Sequence, residues 1–350
     1  GDDVPRNRLG LAQWLVDPNH PLTARVTVNR YWQQLFGTGL VNTPSNFGKM
    51  GDKPSHPELL DWLARWFTDN GWSIKKLHRL ILTSDAYARS SSHTDMEALR
   101  EVDPKNELLA YYPPRRLTAE EIRDAMLAVT GELNRDLGGP PIYPEINWEV
   151  ALQPRHIMGG VAPVYQPSPV KSDRDRRTIY AAVIRTLSDP MLEVLNRPGP
   201  DLSCERRDET TVTPQVFALF NSEHVHTRAL AMALRLETES DDTDEQIKRA
   251  YELVFSRPPT DAELAACRAH VGEMVEHHRQ HAPVKRDLPV TVSREMVDEQ
   301  TGKPFKWKEK LHWLLDYERD KMPWEVSAQT RGLAELCLVL LNANEFVYVY

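Results

Sequence analysis

Apolar residues recur at helical spacing along most of this chain, most densely between Leu22 and Ala64. There Val26, Val28, Tyr31, Trp32, Leu35 and Phe36 return mostly every three or four residues, the signature of a helix with one buried face. Pro21 suits a first helical position, and Gly37 suits a left-handed stop. Ser55 reads as the N-cap of a second helix, with Pro57 and Glu58 in its first turn and Leu59, Leu60, Trp62 and Leu63 behind. The segment between, with Asn42, Pro44, Ser45, Asn46, Gly48, Gly51 and Pro54, has the composition of a shaped loop.

The same period continues on both sides. Residues 7–16 read as a short amphipathic helix with Leu9, Ala12, Leu15 and Val16 inward. Ser73 caps a helix carrying Ile74, Leu77, Leu80 and Ile81. Thr118 and Glu121 have capping-box spacing and open a helix through Ile122, Ala125, Met126 and Val129. Thr213 reads as the cap of a helix through Phe217 and Phe220, and two further helices run to about His281. Residues 333–341 are apolar enough to require burial. Period-two patterning is rare. Thr178–Thr186 (TIYAAVIRT) is the clearest strand, and the terminal EFVYVY reads as a closing strand or an extended tail. The expected fold is mainly α: an irregular multi-helix domain with long ordered loops and one or two short strands.

Three segments are expected: a helical body over 1–282, a charged insertion over 283–325 with exposed Trp307, Trp313 and Trp324, and a helix and tail over 326–350 packing back on the body. Residues 138–172, rich in Pro, Gly and aromatics, form the best ligand-facing loop.

Composition narrows the classes. The chain has 350 residues, 41% of them hydrophobic, with 26 prolines, nine tryptophans and a formal net charge of -8. That charge argues against nucleic acid, which needs a positive field to meet phosphate, and against anionic membranes. No apolar run is long enough to span a bilayer. Cys204, Cys267 and Cys337 show no zinc spacing and allow at most one disulfide. GDDVPRNRLG is not a signal peptide, and it reads as a cut point in a longer protein, with any export signal removed or upstream.

Four groups of residues carry candidate chemistry. Arg115, Arg116, Glu120, Arg123 and Asp124, with Arg174–Arg177 and Arg206–Glu209, form an arginine–carboxylate set that suits an anionic ligand if it converges, and structural salt bridges if it does not. Asn29, Arg30, Trp32, Asn46, His56 and Glu58 surround the first loop, where His56 and Glu58 suit acid–base work and Asn29 and Arg30 suit bonding to the loop backbone. Thr210 and Thr211 beside Arg206 and Arg207 suit an oxyanion or phosphate. His277 and His281 share a helix face with Glu273 one turn earlier, a weak metal set that also reads as a solvated face. His224 and His226, two apart, fall on different sides of a helix and are discounted. No P-loop, dinucleotide fingerprint or nucleophile elbow occurs.

Five stretches carry a family resemblance: TARVTVNRYWQQLFGTGLVNTPSNFG, PSHPELLDWLA, RRLTAEEIRDAML, RRDETTVTPQVFALFNS and LLNANEFVYVY. Together they resemble the domain of unknown function found C-terminally in planctomycete cytochrome c proteins, over nearly the whole chain. The resemblance implies an exported, periplasmic, largely helical domain, downstream of a haem-attachment region, with no known reaction. Two departures matter. The chain has no C-x-x-C-H, so covalent haem is expected only on an upstream domain and no cofactor within this chain. Relatives often carry aspartate where this chain has Asn46, which weakens a carboxylate role there.

The expected function is a docking or ligand-binding module whose partners are upstream domains of the same protein, another protein, or carbohydrate held by exposed tryptophans. The alternative is a hydrolytic or redox-linked enzyme with an Arg/His-lined site between the 37–56 and 138–172 loops.

Overall fold

Helix boundaries fall largely where capping chemistry places them. The structure is a computed structural model that describes residues 4–153, 155–157, 160–201, 203–208 and 210–350. Glu209, one of the acidic candidates, lies outside the described residues. The chain divides into two compact units, Gly1–Arg116 with Tyr348–Tyr350, and Leu117–Val347. The described elements are mainly helical, with three small two-stranded antiparallel pairs, as the periodicity predicts.

In the first unit, α1 (Arg8–Leu15) is capped by Asn7, whose side chain accepts the N–H groups of Leu9 and Gly10. Its expected inward face is wrong. Leu9, Leu15 and Val16 are exposed, and the buried residue is Gly10, pressed against the Pro5 carbonyl where no Cβ fits. The core lies between α2 (Thr23–Phe36), α3 (Pro57–Asp69) and α4 (Ile74–Leu82). Val28, Trp32, Phe36, Leu63, Phe67 and Leu77 fill it. Ser55 does not cap α3. His56 occupies that position without a side-chain cap bond, and the Ser55 hydroxyl beside it donates to the Leu40 carbonyl. α5 (Met96–Val102) follows, capped by Asp95. Arg115–Arg116 then pairs antiparallel with Tyr348–Val349.

The second unit opens on α6 (Ala119–Thr130). The Thr118–Glu121 capping box forms as predicted, and Gly131 ends the helix at φ 79°. Three short helices follow: α7 (Trp148–Ala151), α8 (Lys171–Arg174) and α9 (Pro190–Val194). Long helices complete the unit: α10 (Thr213–Asn221), α11 (Glu223–Glu239), α12 (Thr243–Phe255), α13 (Asp261–Gln280) and α14 (Ala328–Leu341). α14 packs against α11, α12 and α13 and buries Leu333, Leu336, Cys337, Leu340 and Leu341, as its composition requires. EFVYVY divides into a helical turn, α15 (Asn344–Val347), and the Tyr348–Val349 strand of the first unit.

Three expectations for this unit are corrected. Thr178–Thr186 is not a strand. Thr178–Tyr180 form a 3-10 turn, followed by single bridges from Ala181 to Ile142 and from Ile184 to Leu187. The Thr178 N–H and hydroxyl both donate to Asp124, and that side-chain anchor turns the backbone away from a ladder. Thr213 is the first helical residue rather than the cap, and the Gln215 side chain accepts the Val212 N–H. The three tryptophans of residues 283–325 are half-buried, not exposed. Trp313 stacks on Trp148, Trp307 stacks on Phe305 with Arg294 over its ring, and Trp324 lies under Arg319. Thr291–Val297 and Pro304–Lys310 in that segment form a hairpin. All three cysteines are free, with Cys267 and Cys337 buried.

Candidate functional site

The second unit holds a cavity of about 450 Å³ whose wall carries Arg123, Glu145, Asp189, His224 and Asp320. Each arrives on a different stretch of chain, and all but His224 are held by hydrogen bonds or ion pairs.

Arg123, on the buried face of α6, is 4% exposed. Its guanidinium donates to the Arg174 carbonyl at 2.6 Å, the Arg176 carbonyl at 3.1 Å and the Thr178 hydroxyl at 3.0 Å. Asp189 is the N-cap of α9, where its carboxylate accepts the Met191 N–H at 3.0 Å. Glu145 accepts the Trp148 indole N–H at 2.9 Å and the Tyr317 hydroxyl. Trp313 lies parallel to Trp148, ring centres 5.5 Å apart, and closes that corner.

Asp320 is the inner counterion. It meets the Arg228 guanidinium at 2.5 Å and the Lys171 ammonium at 3.0 Å. Arg228 and Lys171 both also pair with Glu132 and Asp175. Two cations and three carboxylates thus sit together in the interior, a stable arrangement only because each charge is paired.

His224 differs from the rest. It is half-buried as a residue, yet its Nε2 is sealed from solvent and has no hydrogen-bond partner. Phe217, also in the cavity wall, is 60% exposed.

These surroundings separate the protonation states. Burial works against the Asp320 charge, but Arg228 and Lys171 outweigh it and hold its pKa at about 2. Burial, then Arg228 and Arg123, pushes His224 down to about 3, so the imidazole is neutral at pH 7. Burial raises both Asp189 and Glu145, against the hydrogen bonds that favour their charged forms. The cavity therefore offers one carboxylate held ionised, two carboxyls drawn towards protonation, and a neutral imidazole ring. Such a set both donates and accepts hydrogen bonds.

The candidates read from the sequence fall in several places. Of the binding candidates, Arg123 lines this cavity. Asp124 beside it anchors Thr178. Arg207 pairs with Glu120 at 2.5 Å, and Thr210 bonds Asn196 and Gln215. Arg206 and Thr211 are exposed in the same stretch, and the Arg206 carbonyl accepts from Cys204 Sγ at 3.0 Å.

Asn29, Arg30, Trp32, Asn46, His56, Glu58, Arg115 and Arg116 belong to the first unit. There Asn29 is buried and exchanges hydrogen bonds with both backbone groups of Val41. Trp32 stacks on Phe36, Arg30 and Glu58 are exposed, Asn46 turns its own loop through Gly48, and His56 touches Ser55. Arg115 and Arg116 form the strand paired with the C-terminus. The 37–56 loop is in the first unit and the 138–172 loop in the second.

His277 and His281 stack at 4.4 Å on the exposed side of α13, with Glu273 exposed one turn before. Among the described residues, no group of three or more His, Cys, Asp or Glu is disposed to hold a metal ion.

Sequence reasoning missed Glu145, Asp189, His224 and Asp320. The one local signal is Ser188, Asp189 and Pro190, which follow the Thr178–Thr186 stretch, since aspartate before proline is a helix-start pattern.

This is a mainly α-helical protein with a charged cavity in its second unit. Residues 7–271 match PSD1, described as a protein of unknown function (DUF1553), and the chain belongs to that family. No curated protein and no solved structure matches the chain significantly. No helix among the described residues is long and apolar enough to cross a membrane.

Proposed function

We propose that the second unit is a ligand-binding module that takes a small polyhydroxylated ligand, a carbohydrate unit, into the Arg123–His224 cavity. The observation that carries this is the placing of an exposed aromatic, Phe217, in the same wall as the hydrogen-bonding groups of Glu145, Asp189 and Asp320. Polar groups that can donate and accept suit hydroxyls, and an aromatic face suits the C–H face of a sugar ring. A cavity of about 450 Å³ lies in the range of small-molecule sites. The half-buried tryptophans of residues 283–325 fit this role as scaffold, because Trp313 braces Trp148 and through it Glu145.

The reading is tested by saturation-transfer NMR and calorimetry with glucose, galactose, mannose and N-acetylglucosamine. At least one binds, and Phe217→Ala lowers its affinity about tenfold, the loss of roughly 1.4 kcal/mol. Binding by none of them, or unchanged affinity in the variant, overturns it.

A second reading rests on one specific observation: Asp189 and Glu145 are drawn towards protonation while Asp320 in the same wall stays ionised. Carboxyls pushed apart in this way suit acid–base hydrolysis. Release of product from the bound sugar's glycosides distinguishes this enzyme from a binding module. We further propose, on the motifs shared with planctomycete cytochrome c proteins, that the module is exported to the periplasm and works beside upstream domains of a longer protein, including a cytochrome c domain.

A further inference from the structure

A second, smaller cavity of about 160 Å³ lies in the same unit, and Ile146 and Asp189 line both it and the larger one. The partition between them is the start of α9. Met191 faces the larger cavity and Leu192 the smaller, with Asp189 at the turn. The far wall of the smaller cavity is Ala182, Val183 and the stiff run Pro198-Gly199-Pro200, beside Arg197 and Glu193. Asp189 is held in place by the Met191 N–H, so its carboxyl stands fixed where the two spaces meet.

We infer that the two cavities are adjoining subsites for a chain of at least two linked sugar units, with Asp189 at the junction. This rests on the carbohydrate reading of the larger cavity and adds the length of the ligand to it. One unit occupies the space beside Phe217 and His224. The next passes Asp189 into the space walled by Ala182 and Val183. Asp189 is then placed to bond the linking oxygen or the hydroxyls next to it, which a single unit in the larger cavity leaves unused.

The experiment is calorimetric titration of the full chain with two series of increasing length: glucose, cellobiose and cellotriose, and N-acetylglucosamine with its β-1,4 dimer and trimer. In the series that binds, the dimer binds at least about tenfold more tightly than the monomer. Ala182→Trp fills the smaller cavity, so it reduces dimer affinity to the monomer level and leaves the monomer unchanged. Val183→Trp does the same from a position 61% exposed, which guards against a misfolded first variant. Equal monomer and dimer affinity, or a dimer advantage that survives both tryptophans, overturns the two-subsite inference while the carbohydrate reading stands. Absence of binding by every member of both series overturns the two-subsite inference, and absence of binding by galactose and mannose as well overturns the carbohydrate reading beneath it.

Discussion

Arg228 and Asp320 face each other in the interior of the second unit, guanidinium to carboxylate at 2.5 Å, with the Arg228 side chain only 1% exposed. They join α11 to a segment about ninety residues away in sequence, and Asp320 also lines the cavity. Arg228 also pairs with Glu132 and Asp175, so its removal leaves three carboxylates to Lys171 alone. Arg228→Met is therefore expected to lower unfolding stability by about 3–5 kcal/mol. Asp320→Ala leaves Arg228 and Lys171 paired with Glu132 and Asp175, and is expected to cost less. Denaturant titration of the two variants checks the order, and an Asp320→Ala loss as large as that of Arg228→Met would contradict it.

A second ion pair is expected to matter far less. Arg268 and Asp244 are bonded bidentately between α13 and α12, but both are well solvated. Exposed pairs contribute little, because water and salt screen them. Arg268→Ala should leave the unfolding midpoint nearly unchanged, and thermal melts at low and high salt measure it.

In the first unit, Asn29 decides how the chain leaves α2. Its amide donates to the Val41 carbonyl at 3.1 Å and accepts the Val41 N–H at 2.8 Å, in a site with no exposure. Asn29→Leu leaves two buried backbone groups unpaired and is expected to cost about 1–3 kcal/mol for each. Gly39 is part of the same contact. A Cβ there would stand 2.7 Å from the Asn29 amide and from the Val41 carbonyl, so Gly39→Ala should destabilise too. The two losses should be less than additive, because both break one contact. A double-variant cycle read by chemical denaturation tests this.

Much of the fold was readable in the sequence because it was written locally. The Thr118–Glu121 capping box, Gly37 at φ 78° and the apolar run that became α14 each need only a few neighbouring residues to declare themselves. The failures share a different cause. Thr178–Thr186 has strand composition, but Asp124, over fifty positions away, takes its first hydrogen bonds. The tryptophans of residues 283–325 sit in a charged stretch, and their burial depends on partners such as Trp148 that no local pattern names. The cavity is the extreme case. Arg123, Glu145, Asp189, His224 and Asp320 span nearly two hundred positions without a common spacing, and His224 was discounted for being two residues from His226. The two histidines do differ. His226 bonds the Phe220 carbonyl while His224 enters the cavity wall, so the spacing was informative and the inference drawn from it was not.

The His224 ring sets a pH dependence whose sign can be worked out. Its pKa falls from an ordinary 6.5 to about 3 on folding, through burial and then the facing Arg228 and Arg123, with Lys171 acting the same way and Asp320 opposing. Below pH 6.5 the unfolded chain binds a proton that the folded chain refuses. Stability from this group is thus complete above pH 6.5 and drains away as pH falls towards 3. By pH 5 the loss is at most about 2 kcal/mol. Asp189 and Glu145 act in the opposite sense. Their raised pKa values stabilise the folded state as pH falls, and that gain disappears on the way up to neutrality. Asp320, lowered to about 2, keeps its full contribution above the ordinary carboxylate value and loses it only below, outside the window. The comparison that isolates His224 is therefore wild type against His224→Gln, by urea denaturation at pH 7, 6 and 5. The stability of wild type relative to the variant should fall as pH falls, because glutamine has no proton to take up. A difference independent of pH would mean that the imidazole is already paired or solvated enough to titrate normally.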